Sequence, residues 1–408
     1  MQKISKQNKQ TVILYVSTLL GTILGVICSI INTRFLAPDQ YGNVRYVQNI
    51  LSFISSLLLF GYFLSGSRLL ALSYHELYSR RVRGAMVVIL GMACLFLMIS
   101  SYFCYIIHLK SNLQVAYLFI VSIPVCINPL LSNYIGTTAQ GDNHIVRLSI
   151  SRLCPYLLYI PIAYCIYKLT GCSASRMILL QWGIATMIYT IVIISTRPLL
   201  YKIKPIFQLL NEENKTYGFQ LYLGSLIMVA TNYVAGITIG IINEDNSSVG
   251  FYTLALTVTT PLSMIPSIIG TTYYKEFAKK TEIPKRLLKV TILITSCSCI
   301  LFVLLIKPLV SFLYSPAYSS VGEYASWLAV GFCIHGFGDM LNRFLGSHGK
   351  GKEIRNASIA NGIVKIFGYV VFVYMWNVKG ALVTTVACSA IYFVVIYYYY
   401  RKFVKINK

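Results

Sequence analysis

Twelve stretches of roughly twenty apolar residues, parted by connectors too short to hold a folded domain, constrain this chain more than any other feature. They run at approximately 11–32, 44–66, 84–107, 115–138, 153–169, 176–196, 217–242, 249–272, 287–306, 321–346, 357–376 and 379–400. A helix needs about 20 such residues to cross the hydrocarbon core, where only helices and closed barrels satisfy the backbone. The expected fold is therefore all-α, a polytopic membrane protein with about 12 transmembrane helices. Only 12% of the 408 residues are charged, about half the share usual in soluble domains. Lys3, Lys6 and Lys9 precede the first stretch in the manner of a signal peptide. That stretch is too long and lacks a small-x-small cleavage site, so it reads as an uncleaved first span.

A net charge of +23 would suit nucleic-acid binding until the basic residues are placed. If the N-terminus lies inside, 26 of the 35 Lys and Arg fall in the tails and inner connectors and seven in the outer ones. That split predicts both termini on the cytoplasmic side of the membrane, and leaves no basic surface for nucleic acid. The 32 tyrosines, including Tyr397 to Tyr400 at the last span's end, fit interfacial anchoring. The eleven cysteines lie mostly within apolar runs, as small hydrophobes do. No metal-ligand spacing and no cofactor motif is present; Cys297 and Cys299 stand too close together for a zinc knuckle.

The chain also repeats. Gly42 and Gly250 each open a span after an outer connector, Gly141 and Gly349 each follow a span on the inner side, and Arg147 and Arg355 stand six residues further on. These pairs, and Ser17 with Ser225, are all 208 positions apart. The basic connector Arg197 to Thr216, with Pro198 and Pro205, falls midway. The expectation is an N-terminal lobe over 1–205 and a C-terminal lobe over 206–408. Six spans each, an even number, make them two parallel six-helix lobes around a central cavity.

Polar groups within spans are costly, about 2.5–3.5 kcal/mol for a charge, and usually face a cavity or a partner. Span 2 carries Arg45, Asn49, Ser52 and Ser56 on one helical face. Span 11 carries Asn361, Lys365 and Gly368 with the same spacing, and span 10 has His335, Asp339 and Arg343 one turn apart. Asn32 and Arg34 close span 1, Asn128 lies in span 4 and Asn232 in span 7, while Arg68 stands in the inner connector just after span 2. Each has a structural alternative. Arg34 and Arg45 can snorkel to the interface, and Arg68 can be a topology charge. Asn128 and Asn232 can glue helices, and Asp339 and Arg343 can neutralise one another. Together they suggest a cavity with cations Arg34, Arg45, Arg68, Arg343 and Lys365, lined by Asn32, Asn49, Ser52, Asn128, Asn232 and Asn361. Asp339 is the ion-coupling candidate. Such a cavity suits a large hydroxyl-rich anion, since Arg forks onto phosphate oxygens and amides pair with hydroxyls.

The junction Asn32 to Val44 is the densest polar stretch between spans. Its core, Arg34-Phe-Leu-Ala-Pro-Asp-Gln-Tyr41-Gly42, resembles the R-x-L-x-P-x-x-Y-G junction of the Wzx-type polysaccharide flippases of the MOP exporter superfamily. Val249-Gly250-Phe-Tyr252 at the mirrored junction, Leu313-Tyr-Ser-Pro-Ala-Tyr318 before span 10, and Gly349-Lys350-Gly-Lys352 before span 11 agree in order. The resemblance covers essentially the whole chain. It implies transport of an undecaprenyl-diphosphate-linked oligosaccharide repeat unit from the cytoplasmic to the outer leaflet by alternating access, without ATP and driven by an ion gradient. The product would be O-antigen, capsule or another surface polysaccharide, with membrane lipid around the carrier. A polysaccharide polymerase and chain-length proteins are the implied partners. The family's substrate contacts vary too much to transfer.

Rival readings differ in what they require. A multidrug exporter of the same superfamily needs carboxylates in its N-terminal cavity, and spans 1 to 6 hold none. A flippase for a cell-wall lipid precursor stays open. A major-facilitator transporter would carry G-x-x-x-D-R-x-G-R-R where this chain has Tyr74-His-Glu-Leu-Tyr-Ser-Arg-Arg-Val-Arg83. A membrane glycosyltransferase or polymerase needs catalytic groups on sizeable outer loops, and the outer carboxylates here are Asp39, Glu244 and Asp245. No phosphate-cradling loop is present, so the expectation is a transporter and not an enzyme.

Overall fold

The computed structural model describes residues 6–73, 75–142, 144–243 and 245–407. Lys3, Tyr74, Glu244 and Lys408, which entered the charge and motif readings, lie outside them. The described residues form helices and no strand. In order these are α1 (Lys6–Phe35), α2 (Pro38–Leu57), α3 (Tyr62–Ala71), α4 (Glu76–His108), α5 (Leu113–Ser122), α6 (Asn128–Gly141), α7 (Ile145–Thr170) and α8 (Ala174–Ser195). There follow α9 (Lys204–Glu213), α10 (Phe219–Ile242), α11 (Ser247–Thr272), the short α12 (Tyr274–Phe277), α13 (Lys285–Leu313), α14 (Ser320–Ser347) and α15 (Gly351–Ile406). The fold is that of an all-α polytopic membrane protein. Seven described helices are apolar and long enough to cross a membrane by length and composition, and the α2–α3 pair makes an eighth if it is one crossing. α14 is long enough but carries Asp339, Arg343 and several glycines, which dilute its apolar character.

Two expected spans are helical with breaks, and two others run on as one helix with a break between them. The stretch expected at 44–66 bends by 62° between α2 and α3. Phe60 and Gly61 both take positive φ there, and a side chain on Gly61 would place its Cβ 2.4 Å from the Gly218 carbonyl oxygen. Asn214 Nδ2 donates to the Phe60 carbonyl at 3.0 Å, and the Tyr222 hydroxyl to that of Leu57 at 2.9 Å, so the loosened carbonyls find partners. The stretch at 115–138 breaks between α5 and α6 at Pro124, which has no N–H to continue the ladder. α15 runs 56 residues, about 84 Å at 1.5 Å per residue, far beyond a bilayer. Asn377 (φ 52°, ψ −135°) interrupts it. Bonds from Tyr369 to Thr385 and from Asn356 to Tyr399 fold its halves into an antiparallel pair, matching the two spans expected there.

Two compact units result: Met1–Leu36 with Asn43–Ala230, and Ala37–Gly42 with Thr231–Lys408. In the first, α1 and α7 run parallel and knit along their length, Ser17 to Ser149 at 3.0 Å, Arg152 to Thr18 at 2.6 Å and Tyr159 to Asn32. In the second, α14 packs between α11 and α15, with Phe277, Met340, Phe344, Tyr392 and Ile396 forming a buried core. The segment Ala37–Gly42 is part of this second unit. Tyr41, fully buried, meets the ring of Tyr318 edge-on at 6.1 Å, and Tyr318 in turn meets Phe251 at 5.8 Å. Gly42 and Gly250, the glycines 208 positions apart, touch: a Cβ on Gly250 would lie 3.3 Å from the Gly42 Cα.

Candidate functional site

The first unit gathers its polar groups where α1, α2, α7 and α8 approach one another. Asn32 is buried and accepts the Tyr159 hydroxyl, which stands 2.9 Å from that of Tyr167. The Asn32 Nδ2 has no hydrogen-bond partner among the described residues, a cost of about 1–3 kcal/mol for a buried donor. On α2, Arg45 Nη1 donates to Gln48 Oε1 at 2.8 Å, and Gln48 Nε2 lies 3.4 Å from Gln181 Oε1 on α8. Gln181 lines a cavity of about 100 Å³ together with Asn128, Tyr156, Tyr159, Trp182 and Tyr189. A polar relay thus runs from a guanidinium to a pocket of aromatic faces and amides. Aromatic rings with a polar edge combine apolar area and hydrogen bonding in one wall. That wall suits a sugar ring, which has apolar faces and a rim of hydroxyls.

Of the other residues expected here, Asn49 and Ser52 are half-buried on the same face of α2 as Arg45. Asn128 reaches Trp182 O and Thr186 Oγ1 at 3.4 Å each, so it joins α6 to α8 while also lining the cavity. Arg34 is exposed at the end of α1. Arg68 is drawn elsewhere. It is paired with Glu213 at 2.7 Å and stacked over Tyr217 at 4.6 Å, so its charge is matched within the chain. Gln48, Gln181, Tyr159 and Trp182 were not singled out by sequence, though two glutamines inside spans were a signal that could have found them.

The second unit holds a separate set. Lys365 Nζ donates to Asn232 Oδ1 at 3.0 Å, bringing together two residues 133 apart. Asn361, one turn earlier on α15, is buried with its Oδ1 unpartnered among the described residues. Asp339 accepts the Tyr392 hydroxyl at 3.3 Å; that hydroxyl takes Asn342 Nδ2 at 2.8 Å, and the Tyr392 ring lies 4.9 Å from that of His335. The three ion pairs among the described residues do not include Asp339 with Arg343. The neutralising pair that their i, i+4 spacing allowed is not formed, and Arg343 is exposed.

Sequence reasoning treated Arg83 as one more topology charge, and the structure buries it. Its side chain is 4% exposed, with Nε 2.7 Å from Asp142 (8% exposed), Nη1 3.1 Å from Glu76 (72% exposed) and 2.9 Å from the Thr196 carbonyl. Beside it Arg80 donates to the Arg197 carbonyl at 2.8 Å and accepts from Leu199 N at 2.8 Å. The cluster fastens the connector after α8 to α4. His144, in the loop before α7, is held below the usual imidazole value by burial and then by Arg147. A histidine with a lowered folded pKa binds fewer protons folded than unfolded. Its contribution is full above about pH 6.5 and drains as pH falls. Between about pH 8 and 5 the wild type should lose thermal stability relative to His144→Gln; parallel curves would contradict this.

Comparison with known proteins gives one family and one fold. The family model described as polysaccharide biosynthesis protein matches residues 8–274. No curated protein matches the chain. The lipid II flippase MurJ, in an inward closed conformation, is similar over 95% of this chain and 87% of its own, at 14% identity with a TM-score of 0.74. An inward-facing multidrug resistance MATE family transporter of the MOP superfamily is similar over 94% of each chain, at 15% identity with a TM-score of 0.64. The eukaryotic MATE transporter AtDTX14 is similar over 96% of this chain and 98% of its own, at 12% identity with a TM-score of 0.52. At these identities the likeness is one of fold.

Proposed function

Because the chain belongs to the polysaccharide biosynthesis protein family, we propose that it carries a lipid-diphosphate-linked oligosaccharide repeat unit from the cytoplasmic to the outer leaflet, by alternating access coupled to an ion gradient. In this reading it is a transporter and not an enzyme, lies in the bacterial cytoplasmic membrane with both termini inside, and serves surface polysaccharide synthesis. The observation that carries it is the relay from Arg45 through Gln48 and Gln181 into the aromatic and amide cavity. A guanidinium serves the diphosphate and the cavity walls serve the sugar.

A drug exporter is less well supported. A cationic drug wants a carboxylate, and before Glu212 the chain has only Asp39, Glu76 and Asp142; Asp142 is engaged by Arg83. The likeness in fold to the lipid II flippase favours a second cargo of the same chemistry, a lipid-linked cell-wall precursor. With Arg68 matched by Glu213, the cation set is Arg34, Arg45, Arg343 and Lys365. Changing each singly to Gln should cut polysaccharide display at least about tenfold, the loss of roughly 1.4 kcal/mol or more, while the protein still inserts. Undiminished display in all four would sink the cationic site. Asp339→Asn should abolish the dependence of transport on the ion gradient; retained dependence would remove Asp339 from coupling.

A further inference from the structure

The second unit contains a groove that the sugar-binding reading does not use. α10 and the first half of α15 are bridged by two polar contacts, Lys365 to Asn232 and a reciprocal amide pair between Asn243 and Asn377. The bridges stand eleven residues apart, from Asn232 on α10 to Asn243 just past its end, about 16 Å of helix. Between them lies an open apolar groove of about 360 Å³, lined by Thr238, Ile241, Ile242, Val370, Val371 and Tyr374. Thr238 turns its hydroxyl back to the Val234 carbonyl at 2.9 Å, so even that residue spends its polar atom on its own helix. The helices 208 residues earlier, α1 and α7, are knit by Ser17–Ser149, Thr18–Arg152 and Asn32–Tyr159. The α10–α15 pair leaves an open groove between its own two bridges.

Lys365 supplies the head group's chemistry. It is a half-buried cation in a membrane-spanning helix, bonded to a neutral amide, and the ion pairs among the described residues do not include it. A charge so placed is costly, and two of its three donors remain for an anion. The groove begins about one and a half turns further along both helices. We propose that this groove seats the tail of a polyprenyl phosphate, with Lys365 holding the phosphate at its foot. The assignment rests on the lipid-linked cargo proposed above. The order, cation first and apolar wall beyond it in the direction away from the cytoplasmic end of α15, fits a lipid drawn from the inner leaflet with its tail leading across the bilayer.

The test uses the full-length protein in lipid nanodiscs and a polyprenyl phosphate carrying a diazirine in its tail. Photolabelling should fall on peptides holding residues 238–242 and 370–374, and unlabelled polyprenyl phosphate should compete it away. Polyprenol and phosphatidic acid should compete at least tenfold less well. Lys365→Gln and Val371→Trp should each reduce capture at least tenfold with unchanged melting curves; Ile241→Trp replaces the latter if it fails to fold. Label elsewhere, or equal competition by phosphatidic acid, would overturn the groove as a polyprenyl site. Wild-type protein that flips a lipid-diphosphate sugar yet labels elsewhere refutes the groove alone. Protein that labels the groove yet flips nothing refutes the transport reading alone.

Discussion

Arg83→Met lowers the stability of the first unit by about 3–5 kcal/mol, the usual result of removing one partner from a buried ion pair. Asp142 is 8% exposed and loses its 2.7 Å partner, and the Thr196 carbonyl loses its donor at 2.9 Å. The pair's own net worth is smaller; the damage comes from an uncompensated carboxylate left where water does not reach. Glu76→Gln is the matched control. Glu76 is 72% exposed, so its 3.1 Å contact to the same guanidinium is solvent-screened and its loss should stay under about 1 kcal/mol. Thermal unfolding in detergent separates the two. If the two variants melt together, the burial of the Arg83–Asp142 pair does not stabilise the unit. Asp142→Asn together with Arg83→Met should recover part of the loss, because no buried charge is then stranded.

Gly42→Val should prevent the second unit from closing normally and abolish transport. A Cβ at position 42 would lie 1.8 Å from the Asn246 carbonyl oxygen and 2.4 Å from its carbon. Both are backbone atoms at the start of α11, with no rotamer to yield. Overpacking costs about 1–3 kcal/mol where side chains give way, and a backbone collision of this depth should exceed that. Gly42→Ala meets the same atoms and should be impaired too, whereas Gly349→Ala, whose Cβ meets nothing within 4 Å, should lose only what its positive φ of 70° costs. Surface display and the melting curve of the purified protein read both effects. Normal transport by Gly42→Val would mean that the close approach of Gly42 to the Asn246 backbone is dispensable.

The helices were legible because apolar runs and basic connectors report the bilayer directly, residue by residue. Even the fold-back within α15 could be read, since Asn377 falls between two runs each long enough to cross. The bend at Phe60–Gly61 could not be read that way. It depends on Asn214 and Gly218, more than 150 residues away, and an apolar run looks the same bent or straight. The same limit applied to the site. Arg45, Lys365 and Asn232 stood out as polar residues in apolar company, and the structure joins Lys365 to Asn232. Counting charges could not say that Arg68 is matched by Glu213 or that Arg83 is buried against Asp142. Tyr159, Trp182 and Gln181 carry no charge, so aromatic and amide side chains within spans passed as packing until their shared cavity was seen.

The central claim is that the cargo is a sugar borne on a lipid diphosphate, and a reconstituted flipping assay tests it most directly. Purified protein in vesicles with an imposed ion gradient would be given a fluorescent lipid-diphosphate oligosaccharide in one leaflet, and a membrane-impermeant sugar-binding reagent would report what reaches the other. The account predicts gradient-dependent transfer by the wild type, lost at least tenfold in Arg45→Gln and in the cavity variant Gln181→Ala. Transfer no faster than in protein-free vesicles, or transfer of a cationic drug in its place, would contradict it.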